Sequence, residues 1–141
     1  MIPLDTDHLT LLKYTANPRC QALLERMRAS PDQQIGTTII SVEEQWRGWF
    51  AVIARHRNVR RQVKAYQELV SLHEFLSGWT ITPFTDAAAD RFDQLRDHGV
   101  RIGSMDLKIA SIALTHDALV LSANLHDFQQ VPGLRVENWL D

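Results

Sequence analysis

The sequence predicts an α/β fold, a three-layer α/β/α arrangement with a central parallel sheet of about five strands. Short runs rich in Ile, Val, Leu and Thr alternate with longer stretches whose apolar residues recur at helical spacing. Turn and cap residues separate these runs. No repeat and no linker-like stretch divides the chain, so a single domain over 1–141 is expected.

Five segments have the length and composition of buried strands. They are 1–5, 34–40, 79–82, 118–122 and 134–137. Six helices are expected between them, beginning near Thr6 and covering 18–29, 41–55, 58–76, 86–98 and 104–115. The spacing of Ser41 and Glu44 predicts a capping box at the start of the third helix, and Ser104 is expected to cap the sixth. The helices across 41–76 are expected to project from the sheet as a hairpin.

Composition excludes several classes of protein. The chain is 45% hydrophobic and 23% charged, which is ordinary for a globular domain. No apolar run approaches the length of a membrane span, and the opening lacks signal-peptide features, so a cytoplasmic location is expected. The single cysteine, Cys20, excludes an internal disulfide and a cysteine-based metal site. A net charge of −2 argues against avid non-specific nucleic-acid binding, but not against a nuclease with a cation-filled acidic site.

Acidic and amide side chains stand where predicted strands end and helices begin. They are Asp5, Glu44, Asp106, Asn124 and Asp127. The carboxyl ends of parallel strands share one edge of a sheet, so these side chains are expected to converge. Converging carboxylates repel one another unless a cation lies between them. The set therefore predicts a metal-dependent phosphodiesterase.

Each residue of this set also has a local structural explanation. Asp5 is a favoured helix N-cap residue, and Glu44 has the spacing of a capping box. Asp106 would interact favourably with a helix N-terminus, and Asp127 could form an Asx-turn. The prediction therefore depends on the whole set rather than on any single member.

The whole chain resembles the PIN-domain family, in particular the VapC toxins of bacterial toxin–antitoxin pairs. The ordered segments that carry the resemblance are Leu4-Asp5-Thr6-Asp7, 40–48, 103–114, 124–128 and 131–134. The resemblance implies that Asp5, Glu44 and Asp106 bind Mg²⁺ or Mn²⁺. Glu44 is chosen over Glu43 because the family's Glu stands four residues before a Gly, here Gly48.

Four further positions have expected roles near this site. Asp127 is expected to complete the metal site through water, with Asn124 lining it. Asp7 stands where the family often has Asn; it could join the site, but a cap of the first helix is favoured. Ser104 could bind a ligand or a phosphate, although the plain N-cap is favoured.

The implied function is a Mg²⁺- or Mn²⁺-dependent endoribonuclease toxin that cleaves RNA with a metal-activated water. An oxygen-only ligand set suits these ions. The resemblance also implies a cognate VapB-like antitoxin and a homodimer. Two alternatives are a catalytically silent PIN-like binding module and a haloacid-dehalogenase-type phosphatase, because Asp5-Thr6-Asp7 also resembles the Asp-x-Asp of that family.

Two groups of residues have no settled role at this stage. The basic segment 55–61, together with Lys64, is either a solvated turn between helices or a phosphate-positioning surface for RNA. None of the histidines pairs with another as a metal ligand. His8 is nearest the acidic set, and no catalytic role is expected for it.

Overall fold

A computed structural model describes residues 1–141 and contains a five-stranded, fully parallel sheet with helices on both faces. The predicted fold class is therefore confirmed. The strands are β1 (Ile2–Leu4), β2 (Ile35–Thr38), β3 (Ile81–Thr82), β4 (Leu119–Leu121) and β5 (Arg135–Glu137). Their order across the sheet is β3-β2-β1-β4-β5. All five predicted strands are present, each somewhat shorter than its sequence pattern.

The helices lie in the connections between successive parallel strands. They are α1 (Thr6–Leu11), α2 (Pro18–Ala29), α3 (Ile39–Arg55), α4 (Val59–Leu76), α5 (Asp86–Asp97), α6 (Ser104–Thr115) and α7 (Leu125–Phe128). The one-turn α7 was not predicted, because four residues are too few to show a helical repeat. None of these helices combines the length and the apolar character needed to cross a bilayer.

Two helix starts differ from the prediction. The N-cap of α3 is Thr38, whose side chain accepts a hydrogen bond from the Ser41 N–H, so Ser41 lies inside the helix and the predicted capping box with Glu44 is wrong. The β-branched run Thr37–Ile40 extended the predicted strand past the true helix start. The N-cap of α6 is Gly103 rather than Ser104, which is the first helical residue.

Two hydrophobic cores lie on opposite faces of the sheet. On one face, α5 and α6 pack over Val120 together with Phe128 and Val131. On the other face, α1 to α4 pack over Ile2, Leu4 and Leu121. Val120 and its neighbour Leu121 therefore point into different layers, as the alternation of a strand requires. Both are fully buried, which contributes about 1.5–3 kcal/mol per side chain.

The chain reverses direction across the sheet next to β1. From β1 it moves to β2 and β3 on one side, and it returns to β4 and β5 on the other. Leu4 of β1 pairs with Thr37 of β2 and also with Leu121 of β4. The crevice beyond the carboxyl ends of β1 and β4 is a topological switch point, the usual place for a ligand site in an open α/β sheet.

The hairpin predicted across 41–76 is formed by α3 and α4, which pack against each other and are joined by residues 56–58. Gln62 closes the turn by donating to the carbonyl oxygens of Ile53 and His56. A line of apolar side chains on α4 remains exposed to solvent: Val59, Val63, Tyr66 and Val70. They lie three or four residues apart and therefore share one face of the helix.

Candidate active site

Asp5 lies at the switch point, directly after β1. Its Oδ1 accepts the Thr6 N–H at 2.8 Å, which caps α1, and its Oδ2 accepts the Ser122 hydroxyl at 2.8 Å. The residue is only 7% exposed. Burial raises the pKa of the Asp5 carboxyl to about 7, although both hydrogen bonds oppose the shift. The charges of Asp7 and Glu44 add to it.

Glu44 projects from the second turn of α3 toward the start of α1. Its Oε2 accepts the Thr6 hydroxyl at 2.7 Å, so Thr6 connects Asp5 and Glu44. Burial raises the pKa of the Glu44 carboxyl; the Thr6 hydrogen bond opposes this shift, and the charge of Asp106 reinforces it. The neighbouring Glu43 instead forms an ion pair with Arg47 at 3.0 Å, one turn along the same helix.

Asp106, Asn124 and Asp127 form the third part of the cluster. The Asn124 amide donates one hydrogen bond to Asp106 Oδ2 at 2.9 Å and another to Asp127 Oδ2 at 3.0 Å. Burial raises the pKa of the Asp106 carboxyl against the Asn124 hydrogen bond, and Asp127 adds repulsion. Asn124 therefore holds two carboxylates side by side.

Asp7 is the exception among the carboxyls at this edge. Its Oδ1 accepts the backbone N–H and the ring Nδ1–H of His8, both at 2.6 Å, and its Oδ2 accepts the Ala123 N–H at 2.9 Å. Burial alone would raise its pKa, but the hydrogen bonds from His8 and Ala123 outweigh it and lower the pKa. Asp5, not Asp7, caps α1, so the favoured assignment of Asp7 as the cap is wrong.

Ser122 is a central residue of the site that sequence reasoning did not single out. It is fully buried, it donates to Asp5, and its Oγ accepts the Asn124 N–H at 3.0 Å. Its hydroxyl also lies 3.4 Å from Asp7 Oδ2. The sequence feature that could have identified Ser122 is a small hydroxyl residue directly after the buried run of β4. Ser104, in contrast, is exposed at the first position of α6.

The structure thus brings Asp5, Glu44 and Asp106 into one electrostatically coupled cluster, with Asp7 and Asp127 adjacent. No three acidic, histidine or cysteine side chains already stand close enough to hold one ion. Each carboxylate is instead turned toward a neutral donor from Thr6, Ser122 or Asn124. The chemistry of the donor set fits a hard divalent cation, because every side chain offers oxygen and a cation would offset the mutual repulsion of the carboxylates.

Comparisons with known proteins agree with this fold. The model of the PIN domain family matches residues 4–134. Ribonuclease VapC2 of Rickettsia felis is 33% identical over 85 residues, which are 57% of this chain and 63% of that protein. The tRNA(fMet)-specific endonuclease VapC of Salmonella typhimurium is 29% identical over 77 residues, 52% of this chain and 58% of that protein. This chain thus matches less than two thirds of the length of either relative.

Solved structures match over the full length. The VapBC2 structure from Rickettsia felis, bound to a DNA fragment from its promoter, has a TM-score of 0.73 and 25% identity, covering 99% of both chains. VapBC-1 from nontypeable Haemophilus influenzae has a TM-score of 0.74 at 21% identity and covers both chains completely, which shows the shared fold. The family match includes strands β2, β3 and β4 and all residues of the acidic cluster, and the chain belongs to the PIN domain family.

Proposed function

We propose that this protein is a divalent-metal-dependent endoribonuclease of the VapC type and acts as the toxin of a toxin–antitoxin pair. The carrying observation is the coupling of three partly buried carboxyls with raised pKa values, Asp5, Glu44 and Asp106, at the switch point of the sheet. The relatives named ribonuclease VapC2 and tRNA(fMet)-specific endonuclease VapC support RNA as the substrate.

Asp5, Glu44 and Asp106 would hold the metal, Mg²⁺ or Mn²⁺, with Asp127 acting through water. When bound, the cation supplies positive charge and Lewis acidity for the attack of water on the phosphodiester. Thr6, Ser122 and Asn124 orient the carboxylates through the hydrogen bonds described above. Asp7 is saturated by donors from His8 and Ala123, so its role in this proposal is to position the loop after β4.

The partner proposed for this chain is a VapB-like antitoxin. The solved relatives from Rickettsia felis and Haemophilus influenzae are VapBC structures, which supports this partner. An amphipathic helix of the antitoxin would pack near the hairpin at 41–76, on a face other than the exposed apolar line of α4. A basic side chain of the antitoxin, such as Arg, would pair with the acidic cluster and compete with the cation. Excess Mn²⁺ should then partly relieve the inhibition.

The test is incubation of the purified protein with total RNA, with Mg²⁺ or Mn²⁺ and with EDTA. We expect cleavage that requires the cation and is lost in Asp106→Asn, whose charge is removed without a change of shape. Asp93→Asn, an exposed aspartate on α5, is the matched control and should cleave like the wild type.

The same assay separates the alternatives. An absence of RNA cleavage under every metal condition would favour a silent binding module. Hydrolysis of p-nitrophenyl phosphate without RNA cleavage would favour the phosphatase. Cleavage that persists in Asp106→Asn would contradict the proposed site.

A further inference from the structure

A groove of about 190 Å³ lies between α1 and α3 and begins at the acidic cluster. Thr6 and Glu44 line the end next to the cluster, where they are hydrogen-bonded to each other. Farther along, Lys13 and Tyr14 form one wall. Gly48 and Trp49 form the other, on α3. The groove is therefore continuous with the candidate active site.

The part of the groove farther from the acidic cluster contains a cation and aromatic rings, and it has open space on the wall formed by α3. Lys13 forms no ion pair with any carboxylate. The Tyr14 ring is 57% exposed and has no aromatic partner in the fold. Nothing lies within 4 Å of the position that a Cβ on Gly48 would occupy, so this wall has space for a planar group. A free cation beside an exposed ring is the combination that binds a phosphate and a neighbouring base.

A positive surface continues from the groove along α3. Arg55 follows Glu44 by eleven residues, close to three helical turns, so it lies on the same face about 17 Å farther along the axis. Between them, Gly48 and Ala51 stand on this face with small, exposed surfaces. The turn beyond Arg55 adds Arg57, Arg60, Arg61 and Lys64, all exposed.

The charges of the chain are strongly separated. Residues 45–67 hold six of the fifteen Lys and Arg and none of the seventeen Asp and Glu, which leaves nine basic against seventeen acidic residues elsewhere. Among these six, only Arg47 forms an ion pair. An overall acidic protein thus presents a basic surface at the end of α3, about 10 Å beyond Gly48 along the helix axis. A polyanion that reaches the acidic cluster would find its favourable contacts on this path.

We propose that the groove between α1 and α3 binds single-stranded RNA on one side of the scissile phosphodiester. In this assignment a base stacks on Tyr14 beside Gly48, Lys13 contacts a phosphate, and the basic turn after Arg55 contacts phosphates farther along the strand. The proposal rests on the proposed ribonuclease function and adds the path of its substrate. Contacts of this kind recognise single strands with little base preference.

The first test fills the groove through Gly48→Leu. Gly48 lies inside α3 with open space around it, and replacing a helical glycine favours the helix, so the variant should fold. Ala54→Leu, exposed on another side of the same helix, is the matched control. In an Asp106→Asn background, the dissociation constant for a fluorescein-labelled, unstructured RNA should rise about tenfold or more with Gly48→Leu, by loss of stacking. Ala54→Leu should change it less than twofold.

The second test separates stacking from charge. Tyr14→Ala should weaken binding, and Tyr14→Phe should restore it, because the ring rather than the hydroxyl stacks on the base. Lys13→Ala should lower the slope of log K against log salt by about 0.7, the value for one phosphate contact on a single strand. Arg91→Ala, an exposed residue on α5, should leave the slope unchanged.

The outcomes distinguish this proposal from the proposed function. If the wild type cleaves RNA and Gly48→Leu binds and cleaves RNA equally well, the groove assignment is wrong while the ribonuclease stands. If the wild type cleaves no RNA, the proposed function fails, and unchanged RNA binding by Gly48→Leu then overturns the groove as well. If Gly48→Leu weakens only the complex with an acidic protein partner, the groove belongs to that partner and the RNA assignment is overturned.

Discussion

His8 connects Asp7 to the C-terminal segment of the chain through Trp139. The His8 Nδ1 lies 2.6 Å from Asp7 Oδ1, and its Nε2 accepts the backbone N–H of Trp139 at 3.0 Å. Because Nε2 accepts, the proton of the neutral ring is on Nδ1 and is donated to Asp7. The ring is completely buried. One histidine thus orients a carboxylate at the candidate site and anchors residues 131 positions away in sequence.

Replacement of His8 by Ala should destabilise the fold. The change leaves a cavity, removes a hydrogen-bond donor to Asp7 and leaves the Trp139 N–H without its acceptor. The free energy of unfolding should therefore fall by about 2–4 kcal/mol. His126→Ala, on the exposed side of α7, is the control and should change it by less than about 0.5 kcal/mol. Urea titration of both variants at pH 7 measures the difference. Equal midpoints for the two variants would contradict the role of His8.

Glu44 and Glu43 allow a matched test of the site assignment. Glu44→Gln should lower RNA cleavage by about 100-fold or more, because it removes charge from the cluster. Glu43→Gln should lower it less than threefold, since Glu43 pairs with Arg47. Initial rates with one RNA substrate at saturating Mn²⁺ measure both effects. A larger loss in Glu43→Gln would show that Glu43, and not Glu44, belongs to the metal site.

The stability of the metal-free protein should fall as the pH rises from about 4 to about 7. The pKa of Asp5 is about 7 in the folded protein and 3.8 in the reference state, so the folded state binds more protons across this interval. The slope contributed by Asp5 is at most about 1.4 kcal/mol per pH unit. Thermal unfolding in EDTA at several pH values should show the decline, and Asp5→Asn should reduce it. An unchanged decline in Asp5→Asn would show that other groups cause it.

Divalent cations should stabilise the wild type against unfolding. A ligand present at one hundred times its dissociation constant stabilises the folded state by about 2.7 kcal/mol. Mn²⁺ should therefore raise the melting temperature at pH 8, and it should do so less at pH 5.5, where Asp5 is largely protonated. Asp106→Asn should show a smaller rise, with Asp93→Asn as its control. A rise of equal size in both variants would place the bound ion outside this cluster.

The exposed apolar line on α4 predicts self-association. Tyr66 is 53% exposed and Val59 is 75% exposed, and such a line is costly to leave in water. Light scattering at tens of micromolar should give about twice the chain mass of 16.2 kDa. Val63→Glu should shift the protein toward the monomer, whereas Ser71→Glu, an exposed position on another side of α4, should not. A wild type that stays monomeric would contradict the expected homodimer.

The sequence by itself determined the alternation of strands and helices and most of the residues at which these elements end. Its apolar periodicity predicted α2, α4 and α6 nearly to the residue, because helical repeats and caps are local properties. It also predicted that Asp5 and Asp106 would share one edge of the sheet, since parallel strands leave no other placement. It misplaced the start of α3, because it assigned Thr38 to a strand and the cap to Ser41, whereas the Thr38 side chain caps the helix.

The tertiary structure alone decided how these carboxyls are held. The hydrogen bond from Ser122 to Asp5 joins residues 117 positions apart, and it exists because β4 lies next to β1 in the sheet. The same arrangement brings Ala123 to Asp7, where its N–H adds to the larger effect of the neighbouring His8 and lowers the pKa of Asp7, while burial raises the pKa of Asp5. Local patterns carry no information on which strands become neighbours. The difference between two aspartates two residues apart therefore combines the local contact of Asp7 with His8 and the burial and cross-strand hydrogen bonds that exist only in the assembled sheet.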